Sequence, residues 1–302
     1  MNTPPFPDIP LEAWRPTKNT LHLYCQIVGK IRLAMHPRLN HWWHVPFYVT
    51  PRGISTHTIP YAGGDLEIEF DLCEQVLRIR TSDKQVEDFA LYDGLTVADF
   101  YSSVFANLKK LGIEPKIKAI PYEALSTTPF AEDTENKSYD KEYIERFHRT
   151  LVTVDHILTE FRGHFVGKST PVHMFWHSFD LALTRFSGKR APVREGAGIV
   201  EREAYSHEVI SFGFWFGDDK VPAPAFYSYT APEPAGLADE PISPPSATWA
   251  ESNGAHLALL MYEDVRNTAD PRNTVLEFLE SAYQAGAKRA GWEVQELTMS
   301  AP

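Results

Sequence analysis

The sequence predicts an α+β fold in which antiparallel sheet packs against helices, arranged as two similar halves in one compact unit. Two observations support this prediction. Segments with apolar residues at helical spacing are separated by groups of short segments in which apolar and polar residues alternate, as in strands. The order helix, several strands, helix then occurs twice along the chain. With 43% hydrophobic and 13% aromatic residues, 302 residues are enough to bury a large core.

The first half is predicted over residues 19–120. Residues 1–18 contain five prolines, which indicates an extended N-terminal arm before it. A helix is expected over residues 19–35 because Leu, Ile and Met recur there at near-helical spacing. Thr96 and Asp99 have the spacing of a capping box that begins a second helix. Strands are expected at residues 41–50, 65–72, 76–81, 86–91 and 114–120.

The second half is predicted over residues 141–292, after an acidic connector at residues 121–140 that holds five acidic residues and one lysine. A helix is expected over residues 143–165, and the final helix begins at Asp270, followed by proline at its first helical position. Residues 293–302 are predicted to form a tail. Strands are expected at residues 171–185, 204–216, 224–230 and 255–262.

Two long segments distinguish the second half from the first. Residues 188–203 are rich in glycine and charge, and residues 217–247 hold seven prolines, which predicts a Pro-rich loop. Loops of this length often serve as lids or binding loops. The alternative is a passive excursion over the surface, and the sequence does not separate the two.

Charge and cysteine content restrict the function classes. The formal net charge is −11 and no stretch forms a basic stripe, so neither nucleic acid nor an anionic membrane surface is an expected partner. Cys25 and Cys73 are too far apart for a Cys-x-x-Cys zinc motif, and free thiols suit a reducing compartment. The N-terminal segment does not have the pattern of a secretory signal. These observations predict a cytoplasmic protein, and a small-molecule ligand is the partner that we expect.

Several longer motifs carry a family resemblance. They are Leu21-His22-Leu23, Asn40-His41-Trp42-Trp43-His44-Val45-Pro46, Pro171-Val172-His173, Thr184-Arg185-Phe186-Ser187-Gly188 and Tyr205-Ser206-His207-Glu208. Together they resemble a bacterial family of unknown function, the domain of unknown function family 5996, over nearly the whole chain. The resemblance implies no activity and transfers no catalytic residue. His177 is a departure, because the family pattern implies a small residue there.

Strand parity suggests a metal site. On the predicted strands, His173 and His177 share an otherwise apolar face, Glu208 ends an apolar row and His41 begins one. A carboxylate beside aromatic rings needs a cation, a proton or a metal as its partner. These four residues could bind a divalent metal (iron, manganese or zinc) that activates water or oxygen. The alternative is that the histidines bond to backbone carbonyls and that Glu208 pairs with an arginine, either Arg185 or Arg202.

Two function classes follow from these residues. The first is a small-molecule enzyme, which could be metal-dependent, with His173, Glu208 and Arg185 as catalytic residues. The Arg185 guanidinium could bind a substrate carboxylate or phosphate, or it could pair with an acidic side chain of the fold. The second class is a non-catalytic binder of a hydrophobic or aromatic small molecule. Its ligand-binding residues would be Trp43, Trp176 and Trp215, although such aromatic side chains more often belong to the core.

Overall fold

A computed structural model describes residues 6–122, 126–252 and 254–299. Residues 1–5 of the predicted arm, residues 123–125 of the predicted connector and residues 300–302 of the predicted tail therefore lie outside the described residues. The α+β class is confirmed: helices combine with two antiparallel sheets. Contacts divide the chain into two compact units, where one unit was predicted. The first unit comprises Met1–Leu39, Trp43–Val152 and Met174–Phe179, and the second comprises Asn40–Trp42, Thr153–His173 and Asp180–Pro302.

Seven α-helices lie in the described ranges. They are α1 Leu11–Met35, α2 Val97–Lys110, α3 Lys141–Gly163, α4 Ile199–Ala204, α5 Tyr262–Arg266, α6 Pro271–Ala290 and α7 Val294–Leu297. The strands in the first half of the chain are β1 Tyr48–Thr50, β2 Gly53–Ser55, β3 Ile59–Tyr61, β4 Gly64–Asp71, β5 Val76–Thr81 and β6 Val86–Ala90. Those in the second half are β7 His173–Phe175, β8 Asp180–Arg190, β9 His207–Trp215, β10 Ala225–Ala231, β11 Thr248–Ser252 and β12 Ala255–Met261.

The first helix begins earlier than predicted. Residues 11–18 belong to α1, so the extended arm prediction is wrong for that stretch. Pro10 occupies the N-cap, just before the first helical residue, and a proline there costs no intrahelical hydrogen bond. Pro16 lies inside the helix, where its carbonyl accepts a hydrogen bond of 3.0 Å from the Thr20 hydroxyl. Proline content therefore concealed a helix whose side chains are largely buried.

The sheet of the first unit has the order β1-β2-β4-β5-β6, with β3 paired to β4. The predicted apolar face of β4 and the residue after it is buried: Leu66, Ile68, Phe70 and Leu72. The alternating pattern predicted that the opposite, polar face is exposed to water, but part of that face is covered. The side chain of Asp71 is fully buried and forms ion pairs with Arg52 at 2.7 Å and Arg78 at 3.1 Å. Paired cations allow a carboxylate on the polar face to be covered.

The second unit holds five antiparallel strands in the order β11-β12-β10-β9-β8. Helix α6 packs against β9 and β10. The predicted N-cap of α6 is confirmed, since Asp270 Oδ1 accepts a hydrogen bond of 3.1 Å from the Asn273 amide, and Pro271 follows it. Thr96 is confirmed as the N-cap of α2: its hydroxyl oxygen accepts a hydrogen bond of 3.0 Å from the backbone N–H of Asp99.

Two of the predicted long strands are interrupted. Residues 171–185 form β7, a turn at residues 176–179 and β8, with Phe179 at a φ of 58°. In residues 41–50 only β1 is extended, and Asn40–Trp42 is a 3₁₀ turn with positive φ at His41 and Trp42. No glycine or proline marks the turn at residues 176–179, so alternation alone did not reveal it. In residues 41–50 Pro46 follows the turn, and a proline inside an apolar run is itself a signal against a continuous strand.

Several smaller predictions also need correction. Residues 114–120 form no strand; Pro115 and Lys116 interrupt the apolar pattern there. Residues 217–247 are not one loop, because β10 crosses them. The predicted tail contains α7 and a β-bridge between Thr298 and Phe165. The internal duplication stays a prediction. In the described chain, no helix is long and apolar enough to cross a membrane.

Candidate functional site

His41 is fixed by contacts at both ring nitrogens. Its Nδ1 lies 3.1 Å from the carbonyl oxygen of Glu203 and 3.3 Å from that of Ala204, so Nδ1 must carry the hydrogen. Nε2 then accepts a hydrogen bond of 2.7 Å from the Lys168 ammonium. Burial, and next the Lys168 charge, lowers the pKa of His41. A metal would have to displace one of these bonds, so the structure places His41 in the role of a backbone-bonded histidine.

The predicted four-residue metal site finds no support in the structure. No three His, Cys, Asp or Glu side chains in the described ranges are grouped so that they could hold a metal ion. The physical reason is the turn at residues 176–179, which ends the strand parity on which a shared face for His173 and His177 depended. His173 is buried at the start of β7, whereas the His177 ring lies edge-on to Phe175 and Tyr122 in the first unit.

Glu208 does not pair with an arginine. Its Oε2 accepts a hydrogen bond of 2.8 Å from the Ser187 hydroxyl on the neighbouring strand β8. Arg202, one of the two predicted partners, donates from Nε to the carbonyl oxygen of Ala197 at 2.6 Å. A half-buried carboxylate that accepts from a hydroxyl needs no buried cation, which accounts for Glu208 at the end of an apolar row.

Arg185 is fully buried in an aromatic cage. Its guanidinium carbon lies 3.6 Å from the ring centroid of Phe161, 4.5 Å from that of Tyr283, 5.0 Å from that of Phe165 and 5.7 Å from that of Phe212. One terminal nitrogen donates to the Phe161 carbonyl oxygen at 2.5 Å. Burial lowers the pKa of Arg185 to about 10. With 1% of its surface exposed, Arg185 holds α3 and α6 against the sheet and presents no guanidinium to a ligand.

The three predicted ligand-binding tryptophans do not form one set. Trp43 and Trp176 belong to the first unit, and Trp215 belongs to the second. Trp176 is buried, its indole nitrogen donates to the Val45 carbonyl oxygen at 2.9 Å, and its ring packs directly on Gly29 of α1. Trp176 is thus a core residue. Trp215 on β9 is half-buried and lies edge-on to the Tyr227 ring.

A cavity of about 570 Å³ lies within the second unit, and none of the residues predicted from the sequence lines it. Three stretches form its wall: parts of residues 191–205, residues 229–233 at the end of β10, and the facing ends of β11 and β12. Alanine, proline, valine and leucine side chains with two tyrosine rings make up most of this wall. Volume and lining are those of a typical small-molecule pocket.

A row of hydroxyl groups crosses the sheet and ends in this cavity. Thr184 on β8 is hydrogen-bonded to Ser211 on β9 at 2.8 Å, and Ser211 is bonded to Tyr229 on β10. The Tyr229 hydroxyl lies 2.9 Å from that of Tyr205, which follows α4. Burial raises the pKa of both tyrosines, so both hydroxyls keep their protons at neutral pH. The row therefore offers a polar contact at the end of an apolar wall.

The charged groups of the cavity are mostly paired. Arg194 forms an ion pair of 2.6 Å with Glu201. His256 lies 2.7 Å from Glu233, and this hydrogen bond raises the pKa of the imidazole. Arg202 differs from both, because its described contact is with a backbone carbonyl. The wall thus holds an arginine–glutamate ion pair, a histidine–glutamate hydrogen bond and one further guanidinium.

Sequence reasoning missed this site for a definable reason. Its residues come from three stretches that meet only through strand pairing, such as that of Ser252 with Ala255 and of Ala231 with Val209. One signal did point to it. The two segments that distinguish the second half in the sequence, 188–203 and 217–247, each supply part of the wall.

Comparison with known proteins adds one result. A model of a family of unknown function, DUF5996, matches residues 6–299. The chain belongs to this family. No curated protein and no solved structure matches the chain. The family carries no described activity, so the functional argument depends on the geometry of the second unit.

Proposed function

We propose that this protein binds a small, largely apolar organic molecule in the cavity of the second unit. The observation that carries the proposal is the cavity itself: about 570 Å³ lined largely by apolar side chains, with two tyrosine rings and the guanidinium of Arg202, which has no acidic partner in the described ranges, at its wall. An apolar wall with a few convergent polar groups is the usual composition of a ligand site. This proposal keeps the hypothesis of a non-catalytic binder. The proposed binding residues are those that line the cavity, in place of the three tryptophans.

Filling the cavity tests the proposal. Ala255 lies at its wall and is exposed, so Ala255→Trp should fold and place an indole in the space. Ala131→Trp is the matched control, because Ala131 is exposed in the first unit. The probe is Nile red, a neutral apolar dye whose emission rises in apolar surroundings.

We expect one saturable Nile red site per chain in the wild type and in Ala131→Trp, and at least tenfold weaker binding in Ala255→Trp. Thermal unfolding of all three proteins checks that each is folded. Equal dye binding by Ala255→Trp and the wild type would refute the cavity as the ligand site.

The enzyme hypothesis stays a prediction. It requires that His173, Glu208 and Arg185 act on a substrate, with or without a divalent metal. Iron, manganese and zinc content of the purified protein, measured beside a Glu208→Ala variant, tests the metal-dependent form. Near-stoichiometric metal that is lost in the variant would support it, and absence of metal from both proteins after loading would end it.

We also propose a cytoplasmic location. Cys25 is buried and free, and Cys73 is exposed and free, which fits a reducing compartment. Fractionation of cells that express the full chain tests this proposal, and recovery of the protein outside the cytoplasm would contradict it.

A further inference from the structure

The guanidinium of Arg202 is the starting point for the chemical class of the ligand. Arg202 lines the cavity, donates from Nε to the Ala197 carbonyl oxygen at 2.6 Å, and forms no salt bridge with a carboxylate in the described ranges. The other basic side chains at this wall each have an acidic partner, Arg194 in Glu201 and His256 in Glu233. An arginine fork beside an apolar surface matches a planar carboxylate.

The hydroxyl of Tyr205 also favours a carboxylate as the ligand group. The hydroxyl row ends at Tyr205, whose bond to Tyr229 leaves its oxygen able to make a further hydrogen bond in the cavity. A protonated phenol donates well to a carboxylate oxygen, and hydrogen bonds with a charged partner are stronger than neutral ones. Arg202 and Tyr205 are three residues apart at the end of α4, so one helix end brings both to the same wall.

We propose that the ligand is an organic carboxylate, with its apolar body against the alanine and proline wall and its carboxylate on Arg202 and Tyr205. This inference rests on the proposed function. A phosphate ester is a poorer match because it brings up to two negative charges, and the wall has a single guanidinium without an acidic partner. Glu201 and Glu233 would repel the second charge.

Three probes with one apolar body test the class by isothermal titration calorimetry. They are naphthalene-1-acetate, its neutral amide and naphthalen-1-ylmethyl phosphonate. The acetate is expected to bind at least tenfold more tightly than the amide and more tightly than the phosphonate. Arg202→Gln should weaken acetate binding by about 10- to 100-fold, the range for a hydrogen bond with a charged partner, and leave amide binding unchanged.

Matched variants separate the site from general charge effects. Arg190→Gln removes the same charge from an exposed position on β8 outside the cavity and should leave all three affinities unchanged. Arg202→Lys keeps the charge without the fork and should fall between the wild type and Arg202→Gln. Retained amide binding shows that an Arg202 variant is folded, and the preference of the wild type for the acetate tests the class without any variant.

The outcomes separate failure of the carboxylate assignment from failure of the proposed cavity site. Equal affinity for acetate and amide would overturn the carboxylate assignment and leave the apolar cavity site standing. Tighter binding of the phosphonate would overturn it in favour of a phosphate ligand. Failure of all three probes and of Nile red to bind would overturn both proposals.

Discussion

The hydroxyl of Tyr227 on β10 donates a hydrogen bond of 2.5 Å to Oδ2 of Asp180 on β8, across the intervening strand β9. The crossing is possible because Gly213 of β9 has no side chain; a Cβ there would meet the Tyr227 ring and the Leu181 carbonyl. Burial, and next the Asp180 charge, raises the pKa of Tyr227 well above its usual value. The Tyr227 hydroxyl is therefore protonated at neutral pH and acts as the donor of this bond.

Loss of this hydroxyl should destabilise the protein. Tyr227→Phe removes one buried hydrogen bond to the charged Asp180 carboxylate, and the expected decrease in the free energy of unfolding is about 1.5–3 kcal/mol. Urea denaturation measures it. Tyr61→Phe, a tyrosine of β3 in the first unit, is the matched control and should change stability by less than about 0.5 kcal/mol. Equal stability of Tyr227→Phe and the wild type would show that the bond contributes nothing.

Gly29 in the middle of α1 should not tolerate a methyl group. Alanine is normally favoured over glycine inside a helix by about 1 kcal/mol. A Cβ at Gly29 would overlap the Trp176 ring, which is held by its hydrogen bond to Val45. Gly29→Ala should therefore lose about 1–3 kcal/mol by thermal or urea unfolding. Gly163→Ala at the exposed end of α3, where no heavy atom lies nearby, is the control and should be neutral or stabilising.

His22 should make the fold sensitive to acid. Burial, reinforced by Lys18, lowers the pKa of His22 from 6.5 to about 3 in the folded protein. Since the unfolded chain takes up this proton near pH 6.5, stability is present above that pH and is lost as the pH falls towards 3. The slope from one such group reaches about 1.4 kcal/mol per pH unit.

The His22→Gln variant tests this dependence. Urea midpoints measured between pH 7 and pH 3.5 should fall less steeply in His22→Gln than in the wild type. His156→Gln, an exposed position on α3, should retain the wild-type slope. A wild-type slope in His22→Gln would assign the acid sensitivity to other groups.

The aromatic cage of Arg185 predicts an order of stabilities. Arg185→Met replaces a buried charge by an apolar chain and should be close to neutral, because the Phe161 carbonyl also accepts from the His164 amide. Arg185→Lys keeps a buried charge without the planar stacking and should be less stable than Arg185→Met. Arg185→Ala leaves a cavity and should lose about 3–5 kcal/mol. A lysine variant more stable than the methionine variant would contradict a structural role.

Local sequence patterns were sufficient to predict several helices and strands. The capping residues Thr96 and Asp270 begin α2 and α6, and the alternation in β4 buries Leu66, Ile68 and Phe70 as predicted. These signals involve only residues a few positions apart, whose effect on the backbone is independent of the rest of the fold. The α+β class and the family resemblance followed from the same local patterns and motifs.

The predicted site failed where local rules were extended over a break. His173 and His177 could share a strand face only if the strand were unbroken. The turn that ends at Phe179 breaks the strand, so this condition is not met. The charge environment of Arg185 also depended on contacts distant in sequence, since Tyr283 is supplied by α6.

The sequence by itself determined the class of fold, the main helices and strands with their caps, and the identity of the family. Only the tertiary structure decided which polar groups share a surface. The pairing of β10 with β9 and with β12 brings residues 191–205, 229–233 and 255–257 together around one cavity. Strand order and register depend on the packing of the whole sheet, so no local pattern could place Arg202 and Tyr205 beside Tyr229.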